Sequence, residues 1–272
     1  MFIGMALRWV VAVMLLSLLG PAFAESLTVG GTGSSGPIVQ RLFEAFARHE
    51  PGASLKLVSP PLGSSGGIKA AIGGKLDLAF SGRALKTDEA TQVAAVFPFA
   101  ETAFVLVGRD PASAGGMTLT ALADAYAGKT AKWPSGTPIR LILRDSKDSD
   151  TELLRGLSPQ MNAAVQTAAE RPGMAVAADD MEALTMLTRT PGALGPTTLG
   201  LLRASGTPVE PMAIDGVSPS PSTLRNGSYP WRKTLYVVVP KGAGAMAERF
   251  SQWLRSGEAD AVLAKYDYLR AR

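Results

Sequence analysis

The sequence predicts an α/β fold built on parallel sheet, and three observations carry that expectation. Short apolar runs alternate with segments whose apolar residues recur at helical spacing, which is the pattern of βαβ units. Each of the first three apolar runs ends in a loop of glycine, serine and threonine. The chain has 272 residues, 46% of them apolar and 18% charged, enough for one large domain or two modest ones. With no cysteine and one histidine it excludes a disulfide scaffold, a Cys/His zinc site and a c-type haem attachment. Lys and Arg number 27 against 23 Asp and Glu, and they are scattered, so the footprint of a nucleic-acid binder is missing. The small excess suits a small anion.

The first segment reads as a signal peptide, residues 1–24. Arg8 supplies the positive start, residues 9–20 are apolar or small apart from Ser17, and Ala22-Phe23-Ala24 gives the small-x-small pattern of a signal-peptidase site. Cleavage after Ala24 leaves a mature chain from Glu25, without the cysteine that an acylated lipoprotein needs, and predicts a diffusible periplasmic protein. The alternative is an uncleaved anchor helix over the same residues, which are few for crossing a bilayer.

The mature chain opens with a β run at 27–29 that leads into Gly30-Gly31-Thr32-Gly33-Ser34-Ser35-Gly36. Pro37 then stands where a first helical turn tolerates it, and Ile38, Leu42, Phe43 and Phe46 form an apolar stripe that ends at Pro51-Gly52. A strand at 54–58, the loop Gly63-Ser64-Ser65-Gly66, a helix through Ile68, Ala71 and Ile72, and a strand at 76–80 running into Ser81-Gly82-Arg83 complete a βαβαβ unit. Farther on, an apolar strand at 103–107 precedes Gly108-Arg109-Asp110-Pro111. A helix at 119–127, a strand at 139–143, a helix from Thr151 and one at 179–187 then repeat the alternation. Gly195-Pro196-Thr197-Thr198 reads as a small polar turn, either facing the cleft or capping a helix, and residues 208–223 as surface loop.

All three early loops follow the carboxyl end of a strand, so their hydroxyls and free amides are expected to meet over one sheet edge, where ligands of open α/β sheets bind. Helix amino termini there carry about half a positive charge each, which suits a phosphate-like anion. The plainer reading makes Ser35 and Ser64 or Ser65 ordinary helix caps, each contributing about 1 kcal/mol. Two sharper motifs fall short. Gly31-Thr32-Gly33-Ser34-Ser35-Gly36 has the dinucleotide spacing, but the next strand ends in Val58-Ser59-Pro60 without an acid for a ribose. Gly63-Ser64-Ser65-Gly66-Gly67 has the spacing of a nucleophile elbow, but the single histidine, His49, precedes it rather than following.

In order and spacing, Thr32-Gly33-Ser34-Ser35, Gly63-Ser64-Ser65-Gly66-Gly67-Ile68 and Asp77-Leu78-Ala79-Phe80-Ser81-Gly82-Arg83 resemble the first lobe of the periplasmic phosphate-binding proteins of ABC importers. The resemblance continues through residues 119–129, Trp133 and Gly136-Thr137-Pro138-Ile139 to Arg144-Asp145-Ser146-Lys147-Asp148-Ser149-Asp150-Thr151, in the place of that family's anion loop. It ends with Asn226-Gly227-Ser228-Tyr229-Pro230-Trp231, the strand 235–239 and the closing helices over 250–269.

The resemblance implies a two-lobed periplasmic binding protein of the venus-flytrap type, each lobe a mostly parallel sheet flanked by helices and joined by two crossover strands. Lobe 1 would comprise residues 25–105 and 229–272, lobe 2 residues 106–228, with a first hinge near residue 105. The implied function is capture of a small oxyanion, phosphate first, for an inner-membrane ABC permease or an associated sensor, by a monomer without cofactor or metal. The implied ligand-binding residues are Thr32, Gly33, Ser34, Ser35, Ser64, Ser65, Ser81, Arg83, Arg144, Ser149, Asp150 and Thr151. Arg144 would pair with the anion, unless it is tied to Asp145 or Asp148. Two departures stand out. Gly82 replaces an aspartate that in the best-known branch accepts the proton of hydrogen phosphate, and acidic Asp148 and Asp150 stand where glycines would leave amides open. Either Asp150 supplies the missing acceptor from the other lobe, or the pocket has turned away from phosphate. The alternatives are a binding fold that has lost its ligand and serves as an interaction module, and a secreted serine hydrolase using Ser65.

Overall fold

A computed structural model of the chain describes residues 25–271, so the expected signal peptide lies outside the described residues. The strands are β1 (Ser26–Gly31), β2 (Ser54–Leu57), β3 (Leu78–Ser81), β4 (Val93–Gly108), β5 (Arg140–Arg144), β6 (Ala175–Ala177), β7 (Ala193–Thr198), β8 (Arg232–Pro240) and β9 (Leu269–Arg270). The helices are α1 (Gly36–Phe46), α2 (Gly63–Ile72), α3 (Thr87–Ala90), α4 (Leu119–Tyr126), α5 (Ser149–Arg155), α6 (Pro159–Glu170), α7 (Asp180–Arg189), α8 (Leu199–Ser205), α9 (Pro221–Arg225), α10 (Ala245–Trp253) and α11 (Gly257–Lys265). This is a mixed α/β fold with a curled sheet flanked by helices, in the order β2-β1-β3-β8-β4-β7-β5-β6, and β9 pairs with β4.

Parallel pairing joins β1 to β2 and β3 at one end of the sheet, and β5 to β6 and β7 at the other. Antiparallel β8 and β4 connect the two ends. The long strand β4 pairs with β8 as far as Ala103 and with β7 from Phe104, so it leaves one set of neighbours for the other within a single step. The apolar residues follow the same division. One core gathers buried side chains between Ala103 and Tyr229, among them Tyr126, Leu141 and Leu187. A second gathers Leu27, Phe43 and Phe80 with Leu235, Phe250 and Tyr268 from the end of the chain.

Two local expectations need correction. Gly195-Pro196-Thr197-Thr198 is the end of strand β7 rather than a free turn, and its last residue, Thr198, caps α8 by accepting the Leu201 amide at 3.3 Å. The ladder from β7 to β5 covers only Ala193 and Leu194, so Pro196 interrupts no bond on that side. Gly195 suits a close crossing, because a Cβ there would stand 2.8 Å from the Ile142 carbonyl oxygen. Residues 208–223 also hold more than loop: Met212 and Ile214 are buried in the core, and α9 begins at Pro221.

Candidate functional site

The site grows out of the turn after β1. Gly31 has φ 135° and lies against the Phe80 carbonyl, a backbone that an L side chain would strain, and Thr32 N–H donates to that same carbonyl at 2.9 Å. The chain then makes a 3-10 turn at Gly33–Ser35 and enters α1. Thr32, Ser34 and Ser35 are all buried. Ser35 does not cap α1: its hydroxyl donates back to the Thr32 carbonyl at 2.8 Å and fixes the turn. Thr32 Oγ1 and Ser34 Oγ stand 3.0 Å apart at the surface facing β5, α5 and α7.

Opposite lies a compact group of charges. At the end of β5 Arg144 is nearly buried, and its Nη2 donates to Asp148 Oδ2 at 2.7 Å. Asp148 is also the cap of α5, accepting the Asp150 amide at 2.9 Å. Asp150, 3% exposed, pairs with the ammonium of Lys233, 1% exposed on β8. Asp180, first residue of α7, completes the group. Its Oδ2 accepts from Thr32 Oγ1 at 3.2 Å and lies 3.9 Å from Arg144 Nη2, and its Oδ1 lies 3.6 Å from Lys233 Nζ. The Ser34 amide also faces this carboxylate and favours its ionised form.

Three carboxylates against two cations leave one negative charge in excess within a largely buried volume, and the titrations diverge accordingly. Burial pushes the Asp150 carboxyl up to about 6, with Lys233 opposing and Asp180 and Asp148 assisting. Burial also acts on Asp180, but Lys233, Arg144, the Ser34 amide and the Thr32 hydroxyl outweigh it and hold that carboxyl below its ordinary value. Lys233 is held above its ordinary value: burial acts against the ammonium, and Asp150 and Asp180 overcome it.

The residues singled out in the sequence divide. Thr32, Gly33, Ser34, Arg144 and Asp150 come together at this group. Ser149 stands beside it against Gly82, whose amide donates to Ser64 Oγ at 2.9 Å. Ser81 Oγ donates to the Arg83 carbonyl at 2.7 Å and closes its own turn. Arg83 is forked onto Glu89 at 2.7 and 2.8 Å and also donates to Ser65 Oγ, so its charge is already matched. Thr151 turns back to the Arg144 carbonyl. His49 binds Glu258 at 2.8 Å, so Ser65 and His49 hold different partners. Among the described residues no group of His, Cys, Asp and Glu is arranged to hold a metal ion.

Two members of the group escaped the sequence reading. Lys233 follows the crossover, yet strand alternation puts it on the buried side with Leu235 and Val237, a period-2 signal that was there to be read. Asp180 stands next to Asp179, which takes the cap of α7 by accepting the Met181 and Glu182 amides. Gly82 makes room for the lysine: a Cβ there would lie 2.6 Å from Lys233 Cε and 3.3 Å from Nζ. A cavity of about 440 Å³, lined by Gly82, Arg83, Ser149, Trp231 and Tyr236, opens on one side of the group. Another of about 590 Å³ reaches Thr32, Gly33 and Met181 on a second side.

Comparison with known proteins agrees with this architecture. A candidate phosphate ABC transporter substrate-binding protein from Clostridium perfringens, solved with bound phosphate, superposes with a TM-score of 0.73 at 21% identity, over 91% of this chain and 100% of that one. An ABC-type phosphate transport receptor from Vibrio cholerae gives 0.62 at 18% identity, over 89% and 99%. The periplasmic molybdate-binding protein of Azotobacter vinelandii gives 0.62 at 15% identity, over 90% and 100%. These likenesses establish the fold. No curated protein sequence matches. The family model for the PBP superfamily domain matches residues 20–258, nearly the whole chain, and the protein therefore belongs to the PBP superfamily.

Proposed function

We propose that the protein is a periplasmic solute-binding protein that closes on a small oxyanion, phosphate first, and passes it to an ABC permease or an associated sensor. In this reading residues 25–105 and 229–272 form one lobe and residues 106–228 the other, the chain acts as a monomer after cleavage behind Ala24, and it performs no catalysis. The observation that supports it is the reception given to one carboxylate. Asp180 is held by the Thr32 hydroxyl, the Ser34 amide, Arg144 and Lys233, a donor set that suits any small oxyanion. The phosphate- and molybdate-binding neighbours have the same fold.

The surplus of carboxylates narrows the ligand. A dianion beside Asp148 and Asp150 is repelled, whereas an oxyanion carrying a proton can donate to one of them. Protonated phosphate is therefore favoured over sulfate, and binding strengthens as pH falls toward the titration of Asp150 near 6. A thermal-shift panel of phosphate, sulfate, molybdate and phosphonates tests this. An accepted ligand at a hundred times its Kd stabilises by about 2.7 kcal/mol, about 5–11 °C for a chain of this size. No shift with any anion would remove this reading and favour the interaction module.

A further inference from the structure

We infer that Asp180 is a resident occupant of the oxyanion seat: its carboxylate stands where the ligand's oxygens would stand, and a free anion enters only by displacing it. This inference deepens the proposed function and rests on it. Asp180 is not needed as a cap, because Asp179 already accepts the Met181 and Glu182 amides of α7. Its carboxylate instead reaches across to the 3-10 turn before α1 and to β8, collecting donors from elements distant in sequence. Gly33 leaves the space for it. A Cβ there would lie 2.9 Å from Asp180 Oδ2 and 3.0 Å from Asp180 Cβ, and Gly33 is not among the glycines with positive φ, so the fit rather than the backbone calls for glycine.

The seat is also incompletely filled. Arg144 has a side chain only 4% exposed, yet its Nε and Nη1 have no partner, and Nη2 reaches Asp180 only at 3.9 Å. Two such buried donors are costly to leave unmet. A tetrahedral oxyanion has four oxygens to offer where a carboxylate has two, so it can satisfy donors that Asp180 leaves open. That difference in contacts is what would let a ligand replace a group already tethered in place. Until it does, only the fraction of molecules with Asp180 swung out is competent to bind, and the apparent affinity is lowered by that fraction.

The test uses the mature chain, inorganic phosphate and two variants. Asp180→Ala removes the occupant while leaving Lys233 paired with Asp150 and Arg144 with Asp148, and Asp180→Asn keeps its size while removing the charge that Arg144 and Lys233 hold. Calorimetric titration should show phosphate binding at least about tenfold tighter in Asp180→Ala than in the parent chain, with Asp180→Asn between the two. Small-angle scattering without ligand should show the parent compact and unchanged by phosphate, and Asp180→Ala expanded until phosphate is added. Equal affinities with an unchanged radius in Asp180→Ala would overturn the inference while leaving the oxyanion reading in place. If no chain binds phosphate, the oxyanion reading falls and this inference falls with it, an outcome distinct from equal binding by parent and variants.

Discussion

Replacing Lys233 by methionine keeps most of the apolar stem and removes the ammonium group. In the parent chain that group lies against Asp150 and 3.6 Å from Asp180, and its side chain is completely buried. Without it Asp150 has no ion-pair partner among the described residues, and Asp180 retains only Arg144 at 3.9 Å. Removing one partner of a buried pair costs about 3–5 kcal/mol, or about 6–20 °C in Tm for a chain of this length. The loss should depend on pH. Asp150 in the parent is raised from 3.8 to about 6, so the native state holds a proton that the unfolded state has released, and this group's contribution to stability falls as pH rises through that window. In Lys233→Met the carboxyl moves higher still, and the fall continues to higher pH. Urea unfolding at several pH values should therefore show a small deficit near about pH 5 and a large one near about pH 8. A deficit below about 1 kcal/mol, or one independent of pH, would refute the reasoning, because either result means the ammonium is not compensating buried carboxylates.

Two further outcomes follow from neighbouring geometry. Gly82→Ala places a methyl 2.6 Å from Lys233 Cε and 3.3 Å from Nζ, so the lysine must shift away from its carboxylates, which should cost about 1–3 kcal/mol in chemical denaturation. Glu89→Gln removes a carboxylate that the Arg83 fork holds at about 2 against a burial effect of opposite sign. That group's contribution is present above its ordinary value of 4.5 and lost as pH falls toward 2, so the variant should lose less stability than the parent over that range in acid unfolding, by under about 1 kcal/mol for a pair this near the surface.

Much of the architecture was legible in the residues. The βαβαβ opening follows from the apolar runs and their Gly/Ser loops, and the expected strands and helices lie within a few residues of β1 through β3, α1 and α2. The strand β7 was not legible, because Gly195 and Pro196 signal a turn locally while their neighbours β4 and β5 impose a strand. For the site, the hydroxyls of the Thr32 loop were readable because that loop follows a strand end, whereas Arg144 was placed through the family resemblance, and Ser65, Ser81 and Thr151 serve other partners. The charges that meet them were harder. A lysine beside a crossover and an aspartate at the start of a helix are commonplace on solvated surfaces, and only the tertiary approach of β8 and α7 to the Thr32 turn buries them. Gly33 and Gly82 carried the clearest trace of it, as positions where a side chain from elsewhere needs the room.

The central claim is that Thr32, Ser34, Arg144 and Lys233 form a seat for an oxyanion, now held by Asp180. A crystal structure of the mature chain grown with phosphate at mildly acidic pH tests it most directly. The account predicts a phosphate on those four groups, with Arg144 Nε or Nη1 newly bonded and the Asp180 carboxylate turned away. Phosphate bound elsewhere, with Asp180 still against Thr32, would contradict it.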